Sequence, residues 1–434
     1  MTELLAGIVL IGGFVLLMIF KVPVCFAMLL STLGSALVTG TNFSVMIRQM
    51  MDGANNFSLL SIPFFILMGE FMSAGDISSK IVNLANLAVG RFRGGLAYVN
   101  VLDSMFFGGI SGSAVADVSS LGSIVIPMMK RQGYDEDFAV GLTVTTACQG
   151  VLIPPSHNMV IYALSAGGVS IGTLFIAGLL PGIALGCGMI VMCMLMAKRF
   201  NFPKGTGVKK GEGWRVLVEG ILPMMTLVII MVGTGAGVFT ATESSAIACV
   251  YTMFLSMVVF RKVKIRDVGH IIKNSLKTLA IVMTLLATAK AFAYMMTELR
   301  IPAAISAGLL GISNNKYVLL LIINALLLVL GCFMDMAPLI TIMTPILLPV
   351  VTAVGMDPLH FGVVLIFNLA VGLCTPPVGS ALFVGCAIGK TPIERTAKNM
   401  LPLYAVMVVV LLLVTYIPDI ALFLPKMLMG YTPV

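Results

Sequence analysis

Two pairs of adjacent prolines, Pro154-Pro155 in GVLIPPSHNMV (150–160) and Pro376-Pro377 in GLCTPPVGSALF (372–383), interrupt apolar runs. Proline has no N–H and pushes the residue before it out of helical conformation, so carbonyls one turn upstream lose their partners. Glycine-bearing stretches lie upstream of each pair, GGISGS at 108–113 and GCFMD at 331–335. Glycine permits a turn, and Ser113 and Asp335 are residue types that cap a new helix. Carbonyls and hydroxyls are the hard oxygen donors a small cation takes, and the N–H groups that begin a helix suit a carboxylate. The chemistry on offer is binding. The chain has no HExxH and no GxSxG, and His270 and His360 fall near loop ends, so a membrane-embedded enzyme is a weak reading.

The elements that must position these residues are membrane helices. Of 434 residues, 59% are hydrophobic and 10% charged, with mean hydropathy +1.08, against roughly 25% charged residues in soluble chains. Apolar runs of spanning length recur from Leu4 to Leu424. The start, MTELLAGIVLIGG, lacks a basic n-region and a cleavage site and reads as a retained helix. The net charge of +8 implies no nucleic acid, because the positives sit in short loops: Arg91/Arg93, Lys130/Arg131, 198–215, RKVKIR (261–266) and Lys390 to Lys398. Such loops face the cytoplasm and contact anionic lipid. The eight cysteines lie singly in apolar segments and read as packing, with neither disulfides nor a zinc site expected; the methionines read likewise.

The proline pairs are 222 residues apart, and that offset also superposes Gly109 on Gly331, Pro127 on Pro349, Gly133 on Gly355, Asp135 on Asp357 and Gly150 on Gly372 without a gap. Over 109–155 composition predicts about half a chance glycine match and about a tenth of a proline match; three and one are found outside the proline pairs. The chain is an internal repeat. KRQGYDED (130–137) precedes the first break and SAGGVS (165–170) follows it, whereas TAVGMDPLH (352–360) precedes the second and GKTPIERTAK (389–398) follows it. Basic ends therefore lie before one break and after the other. An inverted repeat of this kind marks a secondary transporter with its site at the repeat interface.

Between Arg91/Arg93 and Lys130/Arg131 both ends are basic, so the chain turns back inside the membrane. Its halves, about 16 residues each, rise roughly 24 Å against a core of roughly 30 Å. This is a re-entrant hairpin, and 319–351 is expected to enter from the opposite face, although Lys316 there runs against the charge rule. Non-helical backbone at membrane depth is tolerated only when buried in protein or lining a wet cavity. Two tips and two breaks converging on such a place suit cation-coupled transport of an anion. A channel would tolerate broken helices but does not call for an inverted repeat.

FGGISGSAVADVSSLGSIVIP, GVLIPPSHNMVIY, GVFTATESSAIACVY (237–251) and GLCTPPVGSALFVG together resemble the large membrane subunit of tripartite ATP-independent periplasmic (TRAP) transporters over essentially the whole chain. The third motif commonly reads TPTE in that family and here reads Thr240-Ala241-Thr242-Glu243, with the glutamate kept. The architecture is also similar to that of divalent anion–sodium symporters. The resemblance implies an all-α polytopic bacterial inner-membrane protein with two re-entrant hairpins and two broken helices, working as an elevator-type transporter. It implies Na+ as coupling ion, a periplasmic substrate-binding protein and a small four-helix membrane subunit, expected to be unfused. The division expected is 1–90 scaffold, 91–168 first transport repeat, 169–315 scaffold and connecting helices, 316–398 second transport repeat, and 399–434 a C-terminal scaffold helix.

Within that frame, one sodium is expected at Gly109, Ser111, Gly112, Ser113, Gly150, Ile153 and Ser156, mostly through carbonyls, and a second at Gly331, Gly372, Thr375 and Val378. Substrate is expected at Ser113, Ser156, Asn158 and Asp335; helix capping is the alternative role for Ser111, Ser113 and Asp335, with the inverted repeat favouring a ligand role for the two serines. His157 reads as a loop residue. Asp117, Glu70 and Glu243 are intramembrane acids that either work or are satisfied locally, with Lys290 and Arg300 as available bases. The substrate is a small carboxylate, sialic acid or a C4-dicarboxylate, with SHN after the first proline pair leaning toward a polyhydroxylated one. The competing reading is a sodium–anion symporter that needs no binding protein.

Overall fold

A computed structural model describes residues 2–200, 202–205, 207, 211–312 and 315–433; the side chains of Ile110, Ser111, Leu309, Leu310 and Ile312 fall outside that description. Every named element among the described residues is a helix, as long apolar blocks without alternation require. Seven of these helices are long and apolar enough to cross a bilayer, or up to nine if two bent pairs each make one span.

The first hairpin is Gly95–Ser111 with Ala114–Arg131, and the second is Lys316–Gly331 with Met336–Ala353. Both fold back on themselves. Asn100, early in its helix, lies with its amide nitrogen 3.7 Å from the sulfur of Met129 near the end of the returning helix. Lys316 donates to the carbonyl of Gly355, just past the second returning helix, at 2.8 Å. That contact accounts for the lysine on the wrong face: it serves carbonyls at a helix C-terminus.

Each hairpin is followed by a broken helix: Glu136–Leu152 with His157–Ala166, bent by 48°, and Pro358–Leu373 with Ser380–Gly389. The 222-residue register persists in the structure. Ser113 and Asp335 are both N-cap residues, as are Asp135 and Asp357.

The two broken helices run in opposite directions. The Cys148 thiol donates to the Ala370 carbonyl at 2.8 Å and the Cys374 thiol to the Val144 carbonyl at 3.0 Å, so one helix advances as the other retreats. The start of the first meets the end of the second, where Lys130 reaches the Gly389 carbonyl at 3.5 Å and Asp137 pairs with Arg395. On the other face Tyr162, near the end of the first, donates to the carbonyl of Pro358 at 2.6 Å.

From Asp137 to Leu152 and from Leu359 to Leu373 every residue is buried. A helix covered on all sides belongs to a core, and these two form it. Around them, Ile265–Glu298 packs on Val24–Thr39, Phe43–Ala54 and Ser61–Ala74. Thr2–Ile19 and Gly213–Gly235 turn Leu4, Ile8, Ile19 and Val232 outward, as a lipid-facing surface would. The C-terminal segment is two helices, Leu401–Tyr416 and Asp419–Met429, where the sequence reading gives one. Pro418 is the reason: Ile417 before it leaves the helical region at φ −116°, ψ 88°.

Candidate functional site

The first tip is built on backbone proximity. Gly112 ends its helix at φ +62°, and its N–H returns to the Gly108 carbonyl at 2.7 Å. Ser113 then caps Ala114–Arg131, its hydroxyl accepting the Ala116 N–H at 3.4 Å. The tip rests on the first break. A Cβ on Gly112 would lie 3.0 Å from Ser156 Cα and 3.1 Å from the Pro155 carbonyl; one on Gly109 would lie 3.0 Å from the Pro154 carbonyl. One turn earlier, a Cβ on Gly108 would fall 2.1 Å from Gly150 Cα. Only glycine fits there.

At the break, the residues four beyond Gly150 and Val151 are Pro154 and Pro155, which have no N–H to offer those carbonyls. Asn158 donates to the Gly112 carbonyl at 3.4 Å, tying break to tip. Ser156 is fully buried, and its Oγ, like the Oδ1 of Asn158, has no partner among the described residues. Gly109, Gly112, Ser113, Gly150, Ile153 and Ser156 thus come together, and Ser111 closes its helix with its side chain outside the description. The donors are carbonyl, hydroxyl and amide oxygens only, a set that fits a hard monovalent cation.

The second tip and break repeat the plan with differences. A Cβ on Gly372 would lie 2.6 Å from the Gly331 backbone, and the Gly379 N–H reaches the Cys332 carbonyl at 3.2 Å. The register pairs Gly109 with Gly331, yet it is Gly108 that crosses Gly150, because the first helix runs on to Ser111 whereas its mate stops at Gly331. The Gly372 carbonyl accepts the Thr375 N–H at 3.0 Å, and the Thr375 hydroxyl turns back to Val371 at 2.8 Å. Val378 is 49% exposed, so its side chain plays no part in closing the break. Both proline–proline bonds are cis.

Beside the tips lies a cavity of about 730 Å³ between the hairpins and the surrounding helices. Ser113, Asn158 and Asp335 line it, together with His157, Ser119 and Ser120, and with Glu70 and Thr278 from the helices Ser61–Ala74 and Ile265–Glu298. Ser156 sits behind this wall in the break. Asp335 occupies the N-cap position without a side-chain capping bond, and its carboxylate is open to the cavity. No lysine or arginine lines the space.

Sequence reasoning missed Ser119, Ser120, Thr278 and Ser380. Ser120 lies seven residues after Ser113, two turns along one helix face, a spacing readable in advance. Ser380, whose buried Oγ is unpartnered, is the repeat mate of Asn158 at the same offset.

The second group of acids separates. Glu243 closes a capping box with Thr240, whose N–H it accepts at 2.8 Å, and stands apart from the cavity. Asp117 is buried inside the first hairpin beside Asp103, with the Ser104 hydroxyl against its carboxylate and no basic side chain paired to either acid among the described residues. Among the described residues no ion pair joins Glu70, Asp117 or Glu243 to Lys290, Arg300 or any other base.

Comparison with known proteins bears on this arrangement. The profile of the family described as "Tripartite ATP-independent periplasmic transporter, DctM component" matches residues 11–420. The chain is 40% identical to the uncharacterized protein YgiK of Salmonella typhimurium over 97% of both chains. It is 37% identical to the sialic acid TRAP transporter large permease protein SiaM of Vibrio cholerae, over 97% of this chain and 99% of that one. It is 36% identical to the C4-dicarboxylate TRAP transporter large permease protein DctM of Pseudomonas aeruginosa, over 88% of this chain and 89% of that one. The Alcanivorax borkumensis YdaH transporter shares the fold, with a TM-score of 0.63 at 14% identity over 86% of this chain and 87% of that one. Matched nearly end to end, the chain belongs to the large permease subunits, the DctM component, of the tripartite ATP-independent periplasmic transporters.

Proposed function

We propose that this inner-membrane permease, a transporter and not an enzyme, takes up a small carboxylate coupled to sodium. The carboxylate is handed over by a periplasmic binding protein, and a small membrane subunit completes the scaffold. One observation carries the reading: two glycine tips each abut a helix broken by Pro-Pro, and beside them opens a cavity lined by no lysine or arginine. An anion entering such a space needs positive charge from elsewhere, and cations held at the tips supply it. Sodium at Gly109, Ser111, Gly112, Ser113, Gly150, Ile153 and Ser156, and at Gly331, Gly372, Thr375 and Val378, would hold the tips in the shape that presents Ser113, Asn158 and Asp335. The resemblance to SiaM and DctM supports sialic acid or a C4-dicarboxylate as the class of cargo.

The cavity extends from the tips toward the basic loops: Ser119 and Ser120 lie on the stretch leading to Lys130, and Glu70 lies on the one leading to Asp76, which pairs with Lys262 of the 261–266 loop at 3.2 Å. That direction supports an inward-open arrangement. Residues 91–168 and 316–398 would then move together against 1–90, 169–315 and 399–434, carrying the site across. Reconstituted permease with its small subunit and binding protein should accumulate the carboxylate under an inward sodium gradient. Uptake unchanged after potassium replaces sodium would refute coupling, and equal uptake without the binding protein would favour a self-sufficient symporter.

A further inference from the structure

We propose that Glu70 contacts the substrate and that, with Asp335, it makes the cavity selective for a monocarboxylate carrying several hydroxyls over a dicarboxylate. This rests on reading the cavity as the carboxylate's path. Glu70 stands on the helix Ser61–Ala74, and Gly69 and Ser73 open on the same cavity. It makes no hydrogen bond or ion pair among the described residues. His270, the base whose charge reaches it, lies one helix away, 3.2 Å from the side chain of Asn274. Asp335, at the second tip, makes no side-chain capping bond of the usual kind, and its carboxylate is met by the Met336 backbone N–H.

The lining is uneven in charge. At Ser113 the N-terminus of Ala114–Arg131 offers N–H groups, the environment that holds a carboxylate. The ionisable groups elsewhere on the lining are Asp335 at the other tip and Glu70 on the helix Ser61–Ala74, with His157 beside the first break and Cys25, and no lysine or arginine. A substrate anchored by one carboxylate at Ser113 would drive a second carboxylate against these acids, and like-charge juxtaposition of this kind is how sites exclude wrong partners. Hydroxyls meet the opposite reception. An ionised carboxylate only accepts hydrogen bonds, so Glu70 and Asp335 are matched by O–H donors. Ser119, Ser120 and Thr278 supply further partners of both kinds. A volume of about 730 Å³ leaves room for a polyhydroxylated chain or ring.

The test is equilibrium binding to the intact permease with its small subunit in nanodiscs at saturating NaCl, which takes the binding protein's own selectivity out of the measurement. The probes are N-acetylneuraminate and gluconate as polyhydroxylated monocarboxylates, and succinate as diacid. At least one of the former should bind about tenfold or more tighter than succinate. Glu70→Gln should shift that preference toward succinate by about tenfold, since it removes both a charge-assisted acceptor and the repulsion. Glu70→Asp should retain the preference, and the melting temperature without ligand should not move. Succinate binding as tightly as the sugar acids, or a preference untouched by Glu70→Gln, overturns the proposal. If succinate alone binds and needs sodium, this inference falls while the functional reading stands; if no acid binds to the folded protein, both fall.

Discussion

The sulfurs of Cys148 and Cys374 lie 2.9 Å apart, one from each broken helix, at the crossing of the two repeats. Both thiols are free and buried. They are close enough for a bond that would join residues on either side of the 198–215 loop. Copper-phenanthroline oxidation should therefore keep the halves together on a non-reducing gel after proteolysis in that loop, and Cys374→Ser should abolish the link. If the repeats travel as one body, the cross-linked protein should retain uptake within about twofold. A loss of about tenfold or more would mean that they move against each other.

Gly150 should tolerate no side chain. Alanine there would place Cβ 2.5 Å from Gly108 Cα and 3.1 Å from the Ser104 carbonyl, both backbone atoms that cannot swing away. Overpacking of this kind costs about 1–3 kcal/mol, so Gly150→Ala should lower the melting temperature and the yield of folded protein. Gly269→Ala is the control, since open space surrounds that helical position. It should be neutral or stabilising by up to about 1 kcal/mol. Thermal unfolding monitored by size-exclusion chromatography compares the two.

Ser156→Ala separates ligand from scaffold. Because Ser156 Oγ is buried without a partner among the described residues, alanine removes no protein hydrogen bond. The melting temperature in sodium-free buffer should stay within about 1 °C. If the hydroxyl is a sodium ligand, the sodium concentration for half-maximal uptake should rise by about fivefold or more. An unaltered sodium dependence would remove Ser156 from the first site.

Tyr134 supplies a pH test outside the membrane-spanning helices. Its ring packs on Phe138 and Phe202 in the turn before the first broken helix. Burial pushes its hydroxyl up to about 12, against the backbone N–H groups of Leu96 and Ala97, which pull the other way. With the folded value raised, the stability it contributes is complete below about pH 10 and is lost as pH climbs toward 12, because the unfolded chain ionises first. Tyr134→Phe should match the wild type at pH 7 and melt about 2 °C or more above it at pH 11. Equal melting at both pH values would contradict that assignment.

Much of the frame was legible along the chain. Local chemistry placed it there: prolines that end helices, glycines that let them turn, and Ser113 and Asp335 as N-cap residues. The offset between the proline pairs carries into matched helix starts at residues 114 and 336, and at 136 and 358. Glu243 shows the limit of such reading. Its place in an apolar stretch suggests function, yet the Thr240 capping box three residues upstream already satisfies it.

Residue order thus settled which segments are helices, where they break and that the halves run in opposite senses, because those outcomes depend on neighbours a few positions away and on loop charge. Folding alone brought Glu70, Thr278 and Asp335 onto one cavity, set Cys148 against Cys374 and put Gly108 rather than Gly109 on Gly150. Such pairings depend on which helix faces pack together across tens to hundreds of residues of chain, and no local rule carries that information.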